Sequence, residues 1–362
     1  MVSLSGQQVL RMRMAAQSLG ARGAEDVAAA VTGCAGIQAQ DLLSSRLAVR
    51  ARMAHVTEAQ VARACDQERS VVRTWLMRGT LHMVAAADVG WLVRLLGPTI
   101  AARFQRRRAQ LGLDPALCER LLQKLPGVLA GRSLSRREVV AELAQAGARL
   151  DPSGQAAAHA MVFAAASGVI CRGPDREVEA EPTYVLLKEW LARVKERRPV
   201  EPEVELARSY FAGFGPAAVE DFSAWSGFGL PAARAACSPL GLVTVDCDGR
   251  RLLLAGVGEE GAGWRLLPKF DTYLVGYRDR TLLRDASTSQ AIYAGGWIHP
   301  AVVHDGRLVG SWRLRRQYGE SAVTVRVQLS FGAPGDEEAL AAEASDVGRF
   351  LGIETRLELR RG

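Results

Sequence analysis

The sequence predicts an α+β protein: three tandem winged helix-turn-helix domains followed by a small β-barrel-like C-terminal domain. Three observations point there. Helices followed by a two-stranded hairpin recur three times, about 70 residues apart, which is the size of a small domain. After Trp264 the helical spacing gives way to alternating apolar and polar residues. The chain also has 362 residues, of which 48% are hydrophobic, an ordinary globular content in a length that exceeds one compact core.

Residues 4–19 (LSGQQVLRMRMAAQSL) have helical apolar spacing. A second helix is expected over 24–35, with Glu25 and Asp26 in the first turn, where the helix dipole favours acids. A glutamine-containing segment follows, then a helix over 41–53 and another opening at Thr57. VVRTWLMRGTLHMV (71–84) reads as two strands around a turn at Arg78-Gly79. The first domain is expected over 1–130. It ends in a helical stretch, 86–128, that carries the densest basic cluster, RFQRRR at 103–108. The second domain, 131–200, opens with LSRREVVAELAQAG, where Ser135 and Glu138 fit a capping box. A helix rich in small residues (153–168) and a strand–turn–strand (169–187) complete it. The third, 201–262, has three short helices and a hairpin turning at Asp248-Gly249.

The C-terminal domain is expected over 263–362. WRLLPKFDTYLVGYRDR (264–280), GGWIHPAVVHDGRLVGSWRLRR (295–316) and SAVTVRVQLSF (321–331) alternate, with a hairpin turn at Asp305-Gly306. A helix (336–352) and a short strand, TRLELR, close the chain. The polar, basic stretch 277–294 is the candidate projecting loop or hairpin.

The net charge of +7 is compatible with a polyanionic partner. Arginine supplies nearly all of the basic excess, and lysine occurs only at Lys124, Lys188, Lys195 and Lys269. The six cysteines are scattered without CxxC spacing, and no histidine cluster completes a zinc set. Reduced thiols and no metal are expected. Neither a signal peptide nor a membrane span of about 18 apolar residues is present, so a soluble cytoplasmic protein is expected. Tandem winged helices suggest nucleic-acid binding, with protein docking as the alternative. The tryptophans Trp75, Trp91, Trp190 and Trp225 are read as core.

The segment 35–52, AGIQAQDLLSSRLAVRAR, carries the candidate chemistry. Residues two apart share a side only on extended backbone. If Gln38 and Gln40 serve one site, they therefore precede a helix, with Asp41 or Ser44 as its N-cap. A glutamine amide donates and accepts hydrogen bonds but is a poor base, so the pair suits holding a water. The alternative is an ordinary polar helix start. Asp41 is read as a cap first and a water-polarising base second.

IQAQD, WLMRGTLHMV, LLPKFDTYLVGYRDR and GGWIHPAVVHDGRLVGSWRL, in this order, together resemble the AlkZ family of bacterial DNA glycosylases. The resemblance implies tandem winged helices, a β-barrel-like C-terminal domain, and removal of bulky alkylated purines, including interstrand crosslinks. The family signature is a glutamine, an apolar residue, then glutamine or aspartate, and it falls on Gln38-Ala39-Gln40. Gln at the last position resembles the branch associated with self-resistance in antibiotic producers, while the small Ala39 departs from a larger apolar residue. So read, Gln38 and Gln40 are catalytic, without a cofactor, and the partner is double-stranded DNA carrying an alkylated guanine. Asp41 and His82 are possible support, His82 being read first as structural. Arg46, Arg50, Arg52, Arg106, Arg107, Arg136 and Arg137 are candidate phosphate contacts, each with a solvated helix face as its alternative. Asp271 is expected to orient Arg278 or Arg280 near DNA, or to form an internal salt bridge. No lysine falls in the helices and hairpin that open the first domain, residues 4–84, which argues against a Schiff-base lyase step. Nothing resembles a dedicated dimerisation helix, so a monomer is expected. The competing readings are a winged-helix transcription regulator and a protein-interaction scaffold, both without catalysis.

Overall fold

Side-chain caps set where the helices begin. In the computed structural model, which describes residues 2–151, 154–176, 182–256, 258–283, 286–316 and 322–362, Ser5 and Gln8 form a reciprocal capping box at the helix Gly6–Ala16. Ser135 and Glu138 do the same at the helix Arg136–Gln145. Asp26, Asp114 and Asp336 each accept from the amide three residues on, opening the helices Val27–Gly33, Pro115–Leu129 and Glu337–Leu351. Each carboxylate satisfies an amide that the helix itself leaves unpaired.

The chain divides into two compact units, residues 1–62 with 203–362 and residues 63–202. In the first, the strand Val2–Ser3 runs parallel to Val243–Cys247, which pairs antiparallel with Arg250–Leu254. Asp248 and Gly249 turn that hairpin with φ of 51° and 76°, as their Asp-Gly sequence predicts. The helices Pro202–Phe214, Val219–Ser226 and Leu230–Cys237 precede it. A five-stranded sheet follows, in the order Trp264–Leu267, Ala301–His304, Arg307–Arg316, Val323–Leu329, Thr355–Arg361. Its last pair is parallel, and the helix Glu337–Leu351 makes the crossover that parallel neighbours require.

The C-terminal β region differs from expectation in two ways. The sheet is open, with Trp264–Leu267 and Thr355–Arg361 at its two ends, and does not close into a barrel. WRLLPKFDTYLVGYRDR is a strand only at Trp264–Leu267; Asp271 then caps a helical turn, Thr272–Val275. Every residue from Asp271 to Tyr277 is buried, so its apolar character reflects enclosure on all sides and not a two-residue strand period. The polar stretch after Tyr277 includes the helix Ala286–Ile292 and the two-residue strands Tyr293–Ala294 and Trp297–Ile298, paired as a hairpin; Arg284 and Asp285 lie outside the described residues.

In the second unit the strands Val71–Leu76 and Thr80–Ala85 pair around Arg78 and Gly79, both at positive φ. The helices Ala86–Arg103, Gln105–Gln110, Pro115–Leu129, Arg136–Gln145 and Ala156–Ala166 follow. A second sheet joins Leu134–Ser135, Pro182–Leu186 and Ile170–Asp175, the turn 177–181 lying outside the described residues. Trp75 stacks on Tyr184 with ring centroids 6.4 Å apart, and the Arg172 guanidinium lies over both rings. Trp75, Trp91, Trp190 and Trp225 are all buried, as read from the sequence. Among the described residues no helix is long and apolar enough to cross a membrane, and all six cysteines are buried and unbridged.

One consequence concerns the buried ion pair between Arg52 and Asp271, at 2.8 Å. Asp271→Ala leaves a buried guanidinium without its counter-ion and is expected to cost about 3–5 kcal/mol. The double variant Arg52→Met, Asp271→Leu is expected to recover part of that loss. Urea unfolding of the three proteins, compared at the midpoint, checks both.

Candidate active site

The glutamine segment is extended because the chain is turned out of a helix just before it. Ala35 and Gly36, with φ of 51° and 103°, end the helical path of Val27–Gly33. Ile37–Gln38 is then a short strand, and the helix Leu42–Arg50 starts after Asp41. On this backbone Gln38 and Gln40 share a side, and Gln38 Nε2 donates to Gln40 Oε1. Gln38 is buried, at 7% exposure, whereas Gln40 reaches solvent. Ala39 is buried. With the amides so oriented, Gln38 Oε1 is left to accept a hydrogen bond and Gln40 Nε2 to donate one. Such a pair can hold a water by both its proton and its lone pair, but it cannot remove a proton with any force.

Asp41 is the N-cap, as read from the sequence: Oδ1 accepts from Ser44 N at 2.8 Å. Its other oxygen, Oδ2, faces Lys269 Nζ at 3.4 Å. Burial alone would raise this carboxyl, but the Ser44 hydrogen bonds and the Lys269 ammonium outweigh it and hold the pKa below the usual carboxylate range. Both oxygens are thus engaged, and a carboxylate stabilised in its charged form is a weakened base. Lys269, 228 positions from Asp41, is the site residue that sequence reasoning missed. Its one available signal was rarity, as one of only four lysines. A cleft of 510 Å³ opens beside Asp41 and Lys269.

Two of the candidate phosphate contacts are corrected. Arg50 and Arg52 are both fully buried. Arg50 binds Asp346 at 3.0 Å, Glu343 at 3.2 Å and the Leu266 carbonyl at 2.8 Å. Arg52 binds both Asp271 oxygens, Gln17, Thr272 and the Ala48 carbonyl. Arg50 faces inward because the helix Leu42–Arg50 packs on the helix Glu337–Leu351, whose Glu343 and Asp346 receive it, and Arg52, just beyond the helix end, is received by Asp271. Asp271 accordingly takes the internal salt bridge and does not orient Arg278 or Arg280. Arg46, half-buried, is paired with Glu58. Arg106, Arg107, Arg136, Arg137 and Arg278 are exposed, and Arg107 also donates to Gln155. Arg280 is half-buried over the Tyr293 ring. Among the described residues no group of three His, Cys, Asp or Glu converges as a metal site.

His82, in the other unit, is buried and hydrogen-bonds the Thr80 carbonyl through Nδ1 at 2.9 Å. Burial pushes its pKa down to about 4, so it is neutral across the physiological range. The unfolded chain takes up a proton near pH 6.5 that the folded chain refuses until about pH 4. Its contribution to stability is therefore intact above pH 6.5 and lost as the pH falls through that window. His82→Gln is expected to flatten the decline of the unfolding midpoint between pH 6.5 and 4, measured by denaturant titration at several pH values. At the cap, Asp41→Ala is expected to cost about 1 kcal/mol of stability and Asp41→Asn only a few tenths, because asparagine also caps.

The chain is similar to known proteins in both sequence and fold. A family model described as DNA glycosylase AlkZ-like matches residues 31–350. An interstrand DNA cross-link repair glycosylase from Streptomyces sahachiroi is 30% identical over 369 residues, covering 96% of this chain and 98% of that protein. The solved structure of the Streptomyces sahachiroi DNA glycosylase AlkZ is similar with a TM-score of 0.82 at 27% identity, over 100% of both chains. A regulator or scaffold without catalysis is thereby set aside. The chain belongs to the AlkZ-like DNA glycosylase family: it is a DNA glycosylase, a hydrolase of N-glycosidic bonds in DNA.

Proposed function

We propose that the protein hydrolyses the N-glycosidic bond of bulky, cationic N7-alkylguanine adducts or interstrand crosslinks in double-stranded DNA, acting as a monomer and giving self-resistance to a DNA-alkylating natural product. The observation that carries this reading is the hydrogen-bonded Gln38–Gln40 pair, with the neighbouring Asp41 already committed to its cap and to Lys269. The crosslink-repair name of the Streptomyces relative supports the lesion class.

Alkylation at N7 gives the base a positive charge, and the base then leaves neutral without being protonated. The site needs no general acid. Gln38 Oε1 and Gln40 Nε2 hold a water near the anomeric carbon and meet the positive charge that develops on the sugar with amide dipoles. As the glycosidic bond breaks, its electron pair goes to the base; the water oxygen bonds to carbon and its proton passes to solvent. Each tenfold in rate takes only about 1.4 kcal/mol, so one or two oriented hydrogen bonds suffice on so labile a bond. Lys269 is ion-paired with Asp41, and the proposed reaction is hydrolysis without a lyase step.

The helix-plus-hairpin modules act as winged helices that carry the duplex. Arg106, Arg107, Arg136, Arg137 and Arg278, all exposed, contact phosphates. Arg136 and Arg137 sit in the first turn of their helix, where cations oppose the helix dipole, and a bound phosphate offsets both charges.

Duplexes carrying an N7-alkylguanine, incubated with enzyme and then treated with heat or alkali, report excision as strand breaks. Gln38→Ala and Gln40→Ala are each expected to slow excision about 100-fold, whereas Asp41→Asn stays within a few-fold of wild type. Excision at the wild-type rate by the double glutamine variant would overturn the assignment. The slope of log K against log salt is expected to fall by about 2 in the Arg106→Ala, Arg107→Ala variant, close to one unit per phosphate contact removed.

A further inference from the structure

The cleft beside Asp41 has no role in the hydrolysis just described. It is lined by Leu43 and Leu47 of the helix that follows the glutamines and, from the C-terminal part of the chain, by Pro268, Pro300, Trp312 and Leu314. Its 510 Å³ lies within the roughly 300–1,000 Å³ that takes a compact organic ligand. Leu43 stands at its rim 41% exposed, an unusual position for a leucine in the first turn of a helix whose next residues are buried. The Trp312 ring is fixed by its Nε1 donating to the Leu267 carbonyl at 2.7 Å, so that wall is rigid. The charges at the mouth are Lys269 and Arg313 with Asp41, and Asp41 is neutralised by Lys269.

We propose that this cleft is a specificity subsite that binds an uncharged aromatic substituent carried on the damaged base. Flat proline faces and a fixed tryptophan edge complement a ring system, and ammonium and guanidinium groups are attracted to a ring face. The surplus positive charge disfavours a cationic substituent. Location supplies the link to the reaction: the cleft begins one residue beyond Gln40, so a group projecting from a base held at the glutamines enters it without leaving the same unit. A small lesion leaves it empty. This inference rests on the placement of the damaged nucleotide at Gln38 and Gln40.

The test uses duplexes with an uncleavable 2′-fluoro N7-alkylguanine bearing either a methyl or an anthracenylmethyl group, with binding read by fluorescence anisotropy. Wild type is expected to bind the anthracenylmethyl duplex about tenfold more tightly than the methyl duplex. Leu43→Glu, and independently Ala291→Arg at an exposed position on the cleft rim, are expected to abolish that difference and leave methyl-duplex affinity unchanged. Circular dichroism confirms that the variants fold. Equal affinity of wild type for the two duplexes overturns the proposal, and so does an equal loss for both in the variants, which would mark the cleft as a seat for DNA phosphate or sugar. Strand-break assays on cleavable duplexes read the role of the glutamines separately, so a failure there is not mistaken for a failure of the cleft.

Discussion

Two guanidinium groups taken wholly out of water, those of Arg50 and Arg52, constrain the first unit more than any other contact. A charge in that setting is tolerated only where carboxylates and carbonyls replace its hydration. Asp271 closes on Arg52 through both oxygens, and Glu343 and Asp346 close on Arg50 together with Arg22. Burial and the crowding of neighbouring cations push Arg50 down to about 10, and burial with Arg22 and Arg50 pushes Arg265 down to about 9. Around Arg50 more cations than acids meet, so Glu343 and Asp346 are each shared between guanidinium groups, and neither can be removed without stranding a charge.

This network positions the glutamine segment indirectly. The helix Leu42–Arg50 is pinned at its C-terminal end by Arg50 and just beyond it by Arg52, while at its N-terminal end Asp41 caps it and meets Lys269. The glutamines lie immediately before its capped N-terminal end. A short extended segment cannot hold two amides in register by itself, because each glutamine has three rotatable bonds to order. Holding the following helix against Leu266 to Thr272 and the helix Glu337–Leu351 supplies the rigidity that a preorganised site requires.

The same arrangement accounts for the mildness of the site. A strong base at the proposed site would need a carboxylate with a free oxygen, and Asp41 has both engaged. In the proposed reaction neutral amides remain, which suit a substrate already activated by its own charge.

Much of the first-order organisation was legible in the sequence. The extended placement of Gln38 and Gln40 was expected if both serve one site, and the cap at Asp41, the capping box at Ser135 and Glu138 and the hairpin at Asp248-Gly249 followed from local chemistry, because each depends on contacts within a few residues. The tertiary structure alone decided what depends on distant partners. Arg50 and Arg52 read as basic surface because no local pattern distinguishes an arginine facing DNA from one facing an acid 219 or more positions away. Asp271 to Tyr277 read as strand because apolar residues enclosed on every side show no period. The C-terminal sheet stays open because its final strand adds in parallel to an edge, reached through a helix, and does not pair back to close a barrel. Lys269 joins Asp41 for the same reason: local hydrogen bonding is written in neighbouring residues, whereas charge pairing across a fold is written only in the path the chain takes.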